Sequence, residues 1–265
     1  MPTDGEGETT IATLITHFYN EEYLLPWWLM HHTPLFDHGI LVNRGSTDRS
    51  VAICQQYAPH WEVRDSKYPE FDAIEVDTEM MAIETEVSGW KMVLNTTEFL
   101  CCRNKEQFFT SLNDLGQSMY VIRGINMVDP PYHGYRDPDY SLPLVQQRYH
   151  GYFPSDFDGY NYRRFIHHHA HGSYLTGRHS SHHHASAYPY PAFVLKFWFS
   201  PWNDAIRRRK LQIGPTFSAR AIQQSMGVQH LMSADQLEQT YQYYAHLAQD
   251  LRLNPEYRQL FMFGS

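Results

Sequence analysis

The stretch Leu94-Asn95-Thr96-Thr97-Glu98-Phe99-Leu100 decides the fold of this chain. The apolar segment 90–94 has the composition of a buried strand, and the residues that follow it are polar. Glu98 is the single carboxylate of the stretch. Ligands of open α/β sheets bind at the carboxyl ends of the strands, so this stretch is predicted to lie at a ligand site.

Two earlier segments end in the same way. The β-branched segment 10–16 predicts a buried first strand, and the polar turn 19–22 follows it. Residues 37–43 predict a second strand, which Arg44-Gly45-Ser46-Thr47-Asp48 follows. Three polar strand ends at one edge of a sheet indicate a ligand site more strongly than any one of them alone.

Strands alternate with helices through the first hundred residues. This alternation predicts an α/β fold with a mostly parallel central sheet flanked by helices, and a less regular second half. We expect a single domain over residues 1–265, because the chain shows no internal repeat and no flexible linker. The other predicted elements are helices at 24–30, from 50, at 78–87, 203–211 and 234–251, and strands at 61–64, 120–125 and 193–199.

Composition restricts the class of protein. The formal net charge of −8 and the pI of about 6.1 argue against binding of nucleic acid by phosphate neutralisation. Cys54, Cys101 and Cys102 cannot all pair, which favours a reducing compartment. The acidic start is unlike a signal peptide, and no apolar run approaches the roughly 20 residues that span a bilayer. We therefore expect a cytoplasmic protein with no transmembrane segment and no nucleic-acid partner.

Together the three strand-end segments resemble the GT-A-fold glycosyltransferases related to family 2. The resemblance rests on His17-Phe18-Tyr19-Asn20-Glu21-Glu22, on residues 40–50, and on Gly89-Trp90-Lys91 with 95–100. The family's corresponding segments commonly read Asn-Glu, Asp-x-x-Ser-x-Asp and Asp-x-Asp-Glu-Phe-Leu. The resemblance implies a GT-A, Rossmann-like fold with a nucleotide-sugar half at about 10–110. The half at about 111–265, with C-terminal helices, would serve the acceptor.

The resemblance also implies a donor site for a nucleotide diphosphate sugar, most commonly one linked to uridine diphosphate (UDP). Two of the implied residues have ordinary alternatives, since Asn20 could cap the next helix and Asp48 could be a first-turn acid favoured by the helix macrodipole. The implied donor-binding residues of the first half are Thr16, Phe18, Asn20, Glu21, Asn43, Ser46, Asp48, Lys91, Asn95 and Thr97.

The chain departs from the family at its Asp-x-Asp motif, where it has Asn95 and Thr97. Hard divalent cations prefer several oxygen ligands, usually including carboxylates. Only Glu98 remains, so one prediction is a Mn²⁺ or Mg²⁺ ion held by Glu98 and a histidine. The other is metal-independent activity, with Glu98 turned toward the core.

Eight histidines lie between residues 167 and 184, without the spacing of known zinc motifs. Most are expected to make ordinary hydrogen bonds. His179 is the candidate metal ligand, because resembling enzymes often return a histidine to the metal or pyrophosphate, and Arg178 could pair with phosphate. Lys196 could replace the charge of a metal, or it could be a snorkelling lysine beside an aromatic strand.

Inverting transfer needs a general base for the acceptor hydroxyl. Asp156 and Asp158 are the candidates, Asp137 and Asp139 are comparable alternatives, and each could be an ordinary turn residue. The sequence thus predicts a hexosyltransferase-type glycosyltransferase that moves a sugar from a nucleotide diphosphate donor to a hydroxyl acceptor. Two alternatives stay open, a metal-dependent hydrolase that uses the His-rich segment and a non-catalytic nucleotide- or sugar-binding protein.

Overall fold

The computed structural model describes residues 11–157, 162–225, 227 and 231–261. Its first half alternates strands and helices, as the sequence predicts. The elements of this half are β1 (Ala12–Phe18), α1 (Leu25–His32), β2 (His38–Asn43), α2 (Ser50–Tyr57), β3 (Glu62–Asp65), α3 (Ala73–Glu84), β4 (Trp90–Val93), β5 (Glu98–Cys102) and α4 (Lys105–Asp114).

The second half is less regular, because it combines the long strands β6 and β10 with strands of two or three residues. The elements are β6 (Met119–Val128), α5 (Leu144–Gln147), β7 (His150–Tyr152), β8 (Arg163–His167), β9 (Ser186–Ala187), β10 (Ala192–Phe199), α6 (Asp204–Leu211), α7 (Ala219–Gln223), α8 (Ala234–Ala245), β11 (Gln249–Asp250) and α9 (Pro255–Phe261).

Four parallel strands form one side of the sheet, in the order β3-β2-β1-β4. The register places Phe18 beside Asn43, so the loops after β1 and β2 leave from the same edge. Leu94 continues this alignment after β4, because its N–H donates to the carbonyl of Ile15 over 3.1 Å. The predicted fold class, a helix-flanked α/β sheet with a Rossmann-like half, is confirmed.

The other side of the sheet is mixed, where the sequence predicts mostly parallel strands. β8 lies antiparallel between β4 and β6, and β10 runs parallel to β6 but antiparallel to β5. The β5–β10 register places Lys196 beside Glu98. Strands from the second half of the chain therefore complete the sheet next to the stretch 94–100.

Apolar side chains bury both faces of the parallel strands. Leu14 and Leu41 belong to the cluster that includes residues of α1 and α2. Ile15 and Val42 point to the opposite face, where Met80 of α3 covers them. None of the helices in the described part of the chain is both long and apolar enough to cross a membrane.

Helix ends differ from the predictions where side chains cap the backbone. α3 begins earlier than predicted because Asp72 accepts hydrogen bonds from the N–H groups of Ile74 and Glu75. α2 begins after Arg49, which makes no side-chain capping bond. The predicted helix 234–251 ends at Ala245, and β11 and α9 follow it.

Candidate functional site

A cavity of about 490 Å³ lies where β1, β2 and β4 end. Its lining combines the loops after these strands with β8, β10, α6 and the turn 176–179. Two carboxylates, those of Glu21 and Asp77, line it. The cationic side chains that line it are Arg44, Arg164, Arg178, Lys196, Arg209 and Lys210. A chain with a formal net charge of −8 therefore concentrates positive charge at this edge of its sheet.

Three of the six cations are neutralised by carboxylates. Arg164 pairs with Glu98, Arg178 with Asp77, and Arg209 with Glu21. The ion pairs among the described residues include none of Arg44, Lys196 and Lys210. Arg44, Lys196 and Lys210 are therefore cationic groups of the cavity that form no ion pair with a carboxylate of the described residues.

Arg44 is the least compensated of these groups. Its side chain follows β2, the residue is 4% exposed, and its Nε and Nη1 atoms have no hydrogen-bond partner among the described residues. The guanidinium lies over the rings of Phe71 and Tyr19, with distances of 5.1 and 5.6 Å to the ring centroids. Burial lowers the pKa of Arg44 to about 10. Buried donors without partners are rare in proteins, so this arrangement fits an anion in the cavity.

The stretch 94–100 turns tightly below the cavity. The N–H of Glu98 donates to the carbonyl of Asn95 over 2.9 Å, which closes the turn. The indole of Trp28, on α1, donates to the carbonyls of Asn95 at 3.1 Å and Glu98 at 2.9 Å. A buried helix thus holds the turn in place, and Asn95 and Thr97 line the cavity as predicted.

Glu98 lies beneath the cavity with its side chain fully buried. Arg164 donates to the two carboxylate oxygens at 2.8 and 2.6 Å, and Asn95 donates to them at 2.9 and 3.0 Å. Burial alone would raise the pKa of Glu98, but the Arg164 guanidinium and the Asn95 N–H hold it well below its usual range. The predicted role of Glu98 as a metal ligand does not fit this geometry, because Arg164 and Asn95 already occupy both oxygens.

His179 takes part in the same network through Arg164. Nη1 of Arg164 lies 2.8 Å from Nδ1 of His179, and an arginine can only donate, so Nδ1 accepts. Burial and the charge of Arg164 lower the pKa of His179 to about 3, so the ring is neutral and carries its proton on Nε2. His179 therefore lines the cavity as a neutral ring, whereas the prediction assigned it to a metal.

Arg178 extends the network to α3. Its Nη1 donates to Asp77, and its Nη2 donates to the side-chain oxygen of Asn95 over 2.6 Å. The Nε atom of Arg178 is buried without a hydrogen-bond partner among the described residues. Arg178 lines the cavity, as the prediction of a phosphate contact requires.

Lys196 and Lys210 place ammonium groups against aromatic rings. Nζ of Lys196 lies 4.7 Å from the ring centroid of Tyr162 and 5.2 Å from that of Trp198. Nζ of Lys210 lies 4.2 Å from the ring centroid of Phe199. Burial lowers the pKa of Lys196 to about 8 and that of Lys210 well below its ordinary value. Both amines would gain charge if an anion bound beside them.

Four of the predicted donor-binding residues connect two loops and do not line the cavity. The side-chain oxygen of Asn20 accepts from the N–H of Thr47 at 2.8 Å, and Ser46 accepts from the N–H of Asn20 at 3.0 Å. Asn43 accepts from the N–H of Ser46 at 2.8 Å. Asp48 accepts from the N–H groups of Glu22 at 3.0 Å and Ser50 at 2.9 Å. These bonds hold the loops after β1 and β2 together.

At the end of β1 and in these two loops, the residues that do line the cavity are His17, Phe18, Tyr19, Glu21 and Arg44. Phe18 and Glu21 were predicted, whereas His17, Tyr19 and Arg44 were missed although they lie within the motifs. Thr16 is fully buried in β1 and is not part of this lining. Glu21 reaches the cavity as the partner of Arg209, whose guanidinium donates to it twice at 2.5 Å.

The predicted approach of Lys91 to the donor phosphates is wrong. Its ammonium donates to the carbonyls of Glu84, His169 and Ala170 at 2.9, 2.7 and 3.2 Å, and it is buried away from the cavity lining. Of the predicted bases, Asp156 lies on an exposed one-turn helix outside the lining. Asp158 lies outside the described residues.

The His-rich segment makes ordinary contacts, as expected for most of its members. His167 bonds to Glu84 and to the hydroxyl of Tyr174, each at 2.9 Å, and the ring of His169 stacks on that of His183 at 4.0 Å. The described ranges contain no group of three or more His, Cys, Asp or Glu side chains placed to hold a metal ion. The geometry of this segment gives no support to the metal-dependent hydrolase.

Three cations of the second half that line the cavity were not predicted, namely Arg164, Arg209 and Lys210. Arg209 and Lys210 belong to the basic run 207–210, whose ordinary interpretation is a solvated helix face. An amphipathic pattern around Ile206 was the available signal, because it places part of this run toward the protein. Arg164 had no sequence signal, since only the position of β8 brings it to Glu98.

The sequence matches no protein-family model and no curated protein. Among solved structures, the chain is similar to residues 1–349 of TarS from S. aureus in complex with UDP, at 15% identity and a TM-score of 0.31, over 49% of this chain and 38% of that one. It is also similar to glucosyl-3-phosphoglycerate synthase from Mycobacterium tuberculosis in complex with Mn²⁺, UDP and glucosyl-3-phosphoglycerate, at 12% identity and a TM-score of 0.33, over 44% of each chain. The chain spans less than half the length of these structures.

Proposed function

We propose that this protein is a hexosyltransferase-type glycosyltransferase. It binds a nucleotide diphosphate sugar, most commonly one linked to UDP, in the cationic cavity. The observation that carries the proposal is Arg44, a buried guanidinium two of whose donor atoms have no partner among the described residues. It faces a cavity that also holds the ammonium groups of Lys196 and Lys210. A diphosphate supplies the oxygen acceptors and the negative charge that these groups lack.

The dimensions and the aromatic lining of the cavity support a nucleotide of this kind. Its volume of about 490 Å³ falls in the range of small-molecule sites, which is about 300–1,000 Å³. Tyr19 and Phe71 flank Arg44 and offer flat surfaces on which a base can pack. Asn95 and Thr97 present polar groups on the other side, at the end of β4.

In the proposed inverting reaction, the acceptor oxygen attacks the anomeric carbon as the bond from that carbon to the β-phosphate oxygen breaks. The electron pair of the broken bond remains on the nucleoside diphosphate, and the acceptor proton passes to a general base. Cations around the cavity stabilise the charge that develops on the leaving diphosphate. The lining carboxylates Glu21 and Asp77 are both paired with arginines. We propose Asp158, a candidate from the sequence, as the base.

Calorimetric titration with UDP tests the donor site. We expect UDP to bind, and Arg44→Met to weaken it by about tenfold or more, which corresponds to ~1.4 kcal/mol. Arg103→Met is the matched control, because Arg103 is exposed just beyond the far end of β5. Absence of UDP binding to the unaltered protein would refute the donor site.

Release of UDP from UDP-sugars in the presence of candidate acceptors tests the transfer. Asp158→Asn is expected to abolish transfer and to leave the affinity for UDP unchanged, whereas Asp156→Asn should leave both unchanged. UDP binding without any donor turnover would favour the non-catalytic nucleotide-binding protein. Full activity of Asp158→Asn would move the base to another residue.

A further inference from the structure

We propose that this protein binds the diphosphate of its donor without a divalent metal ion, and that Lys196 occupies the place of the metal. The inference rests on the proposed function, because it specifies how the same cavity holds a nucleoside diphosphate. Three observations carry it: the engagement of Glu98, the protonated nitrogen of His179, and the charges beside them.

The first observation is the chemistry of the potential ligands at the turn 95–98. Asn95 and Thr97 are neutral, and they stand where the resemblance implies aspartates. Both oxygens of Glu98 are held by Arg164 and Asn95 at 2.6–3.0 Å. A metal could reach Glu98 only by displacing Arg164, which would leave a fully buried guanidinium without its counterion. The side chains at this turn therefore do not fit a divalent ion.

The second observation is the tautomer of His179. Its Nδ1 lies 2.8 Å from Nη1 of Arg164, which can only donate, and 3.4 Å from the carbonyl of Arg163. The shorter contact assigns Nδ1 as the acceptor and the proton to Nε2. A protonated imidazole nitrogen has no lone pair for a metal.

The third observation is the electrostatic environment. Lys196 lies beside Glu98 in the β5–β10 register, and Arg164 already neutralises that carboxylate. The charge of Lys196 is therefore in excess, and it is held against the rings of Tyr162 and Trp198. A divalent cation placed here would be repelled by Lys196 and Arg164, whereas a diphosphate would be attracted.

This arrangement assigns a task to each group during transfer. As the bond between the anomeric carbon and the β-phosphate oxygen breaks, negative charge accumulates on the diphosphate. The ammonium of Lys196 is placed to stabilise that charge, and Arg164 fixes Glu98, the neighbour of Lys196 across the β5–β10 register. Lys196 is thus a specific contact to the leaving group, and Arg164 is a positioning residue.

Titration with UDP in buffer that contains EDTA, and again in buffer that contains Mn²⁺, tests the inference. We expect the two dissociation constants to agree within about twofold. Tightening by Mn²⁺ of about tenfold or more would overturn metal-independent binding while leaving the proposed donor site intact. Failure of UDP to bind in either buffer would instead refute the proposed function, so the two failures are distinguishable.

The variant Lys196→Met tests whether Lys196 contacts the diphosphate. In EDTA it should weaken UDP binding by about tenfold or more and leave the affinity for uridine, which lacks the phosphates, unchanged. Lys105→Met makes the same change near the far end of β5, where Lys105 pairs with Asp37 at the surface, and should alter neither affinity. An unchanged affinity of Lys196→Met for UDP would overturn the assignment. A urea unfolding curve with the cooperativity of the parent establishes that each variant is folded.

Discussion

Individual buried charged residues determine the electrostatics of the cavity. Glu98 and Arg164 neutralise each other almost without exposure to solvent, and Lys196 lies beside them without a carboxylate of its own. Isolated buried charges are costly, and proteins that keep them usually use them for binding or catalysis. The unbalanced cations of the cavity therefore indicate function, and the balanced pair below it indicates structure.

Lys196 makes UDP binding dependent on pH. Burial, with a contribution from Arg164, lowers its pKa to about 8 against the opposing charge of Glu98. Lys210 and His179 also face it, and His179 is neutral with a pKa of about 3. Since the protonated amine is the form that attracts phosphate, affinity for UDP should fall as the pH rises above about 8, approaching about tenfold per pH unit.

Calorimetry over this pH range measures the effect. Lys196→Met removes the titrating group, so its weaker affinity should change less with pH than that of the parent. Equal pH dependence in both proteins would show that another group, such as Lys210, dominates.

Replacement of Glu98 by glutamine should affect stability more than any other property. Glu98→Gln leaves Arg164 buried without a counterion, and we expect a loss of about 3 kcal/mol in the free energy of unfolding. Urea denaturation measures this. Glu256→Gln is the control, because Glu256 pairs with Arg123 at the surface, where such pairs contribute about 0–1 kcal/mol. Similar losses in both variants would contradict the structural role of Glu98.

At the scale of elements, α1 holds the functional turn in place. The indole N–H of Trp28 is the donor that binds the carbonyls of Asn95 and Glu98. α1 itself packs against β5, where the ring of His32 accepts from the N–H of Leu100 over 3.1 Å. The position of the turn thus depends on a tryptophan that precedes the bonded residues by 67 and 70 positions.

Trp28→Phe keeps an aromatic ring and removes the donor. We expect it to lower the free energy of unfolding by about 1–3 kcal/mol more than Trp61→Phe, and to weaken UDP binding because the turn loosens. Trp61 is the matched control, because its buried indole N–H has no partner among the described residues. Urea curves and titrations measure both effects, and equal destabilisation of the two variants would refute the role of the hydrogen bonds.

Prediction of the elements succeeded where hydrophobic pattern alone defines them. β1, β2, β4 and β10 follow the apolar runs of the sequence to within a few residues. The helix predicted over 234–251 begins where predicted, with a capping box at Ser233, but it ends at Ala245. Leu251 and Tyr257 are buried through a separate turn and helix. Periodicity shows which residues are buried, but it does not show where one element ends and another begins.

At the scale of the whole molecule, charge is separated between surface and cavity. The formal net charge is −8, yet Arg44, Lys196 and Lys210, which form no ion pair with the described residues, line one cavity. Such a distribution disfavours long polyanions, which meet the acidic surface, and favours a small anion that enters the cavity.

Salt should weaken UDP binding accordingly. We expect the dissociation constant to rise by about tenfold between roughly 0.05 and 0.5 M salt, because the Debye length shortens across that range. Titrations at several salt concentrations measure this, with uridine as the uncharged control. A salt-independent affinity for UDP would show that ionic contacts contribute little to binding.

The sequence by itself determined that this is an α/β protein and that the loops after three strands meet at one edge. Both follow from local pattern, since apolar runs specify strands and the ends of parallel strands coincide. It also located Asn95, Thr97, Arg178 and Lys196 at the cavity. Only the tertiary structure decided what Glu98 does, because Arg164 lies 66 residues further along the chain and reaches it through the antiparallel β8. A charged group's role depends on its partners and burial, and those are fixed by the packing of distant segments.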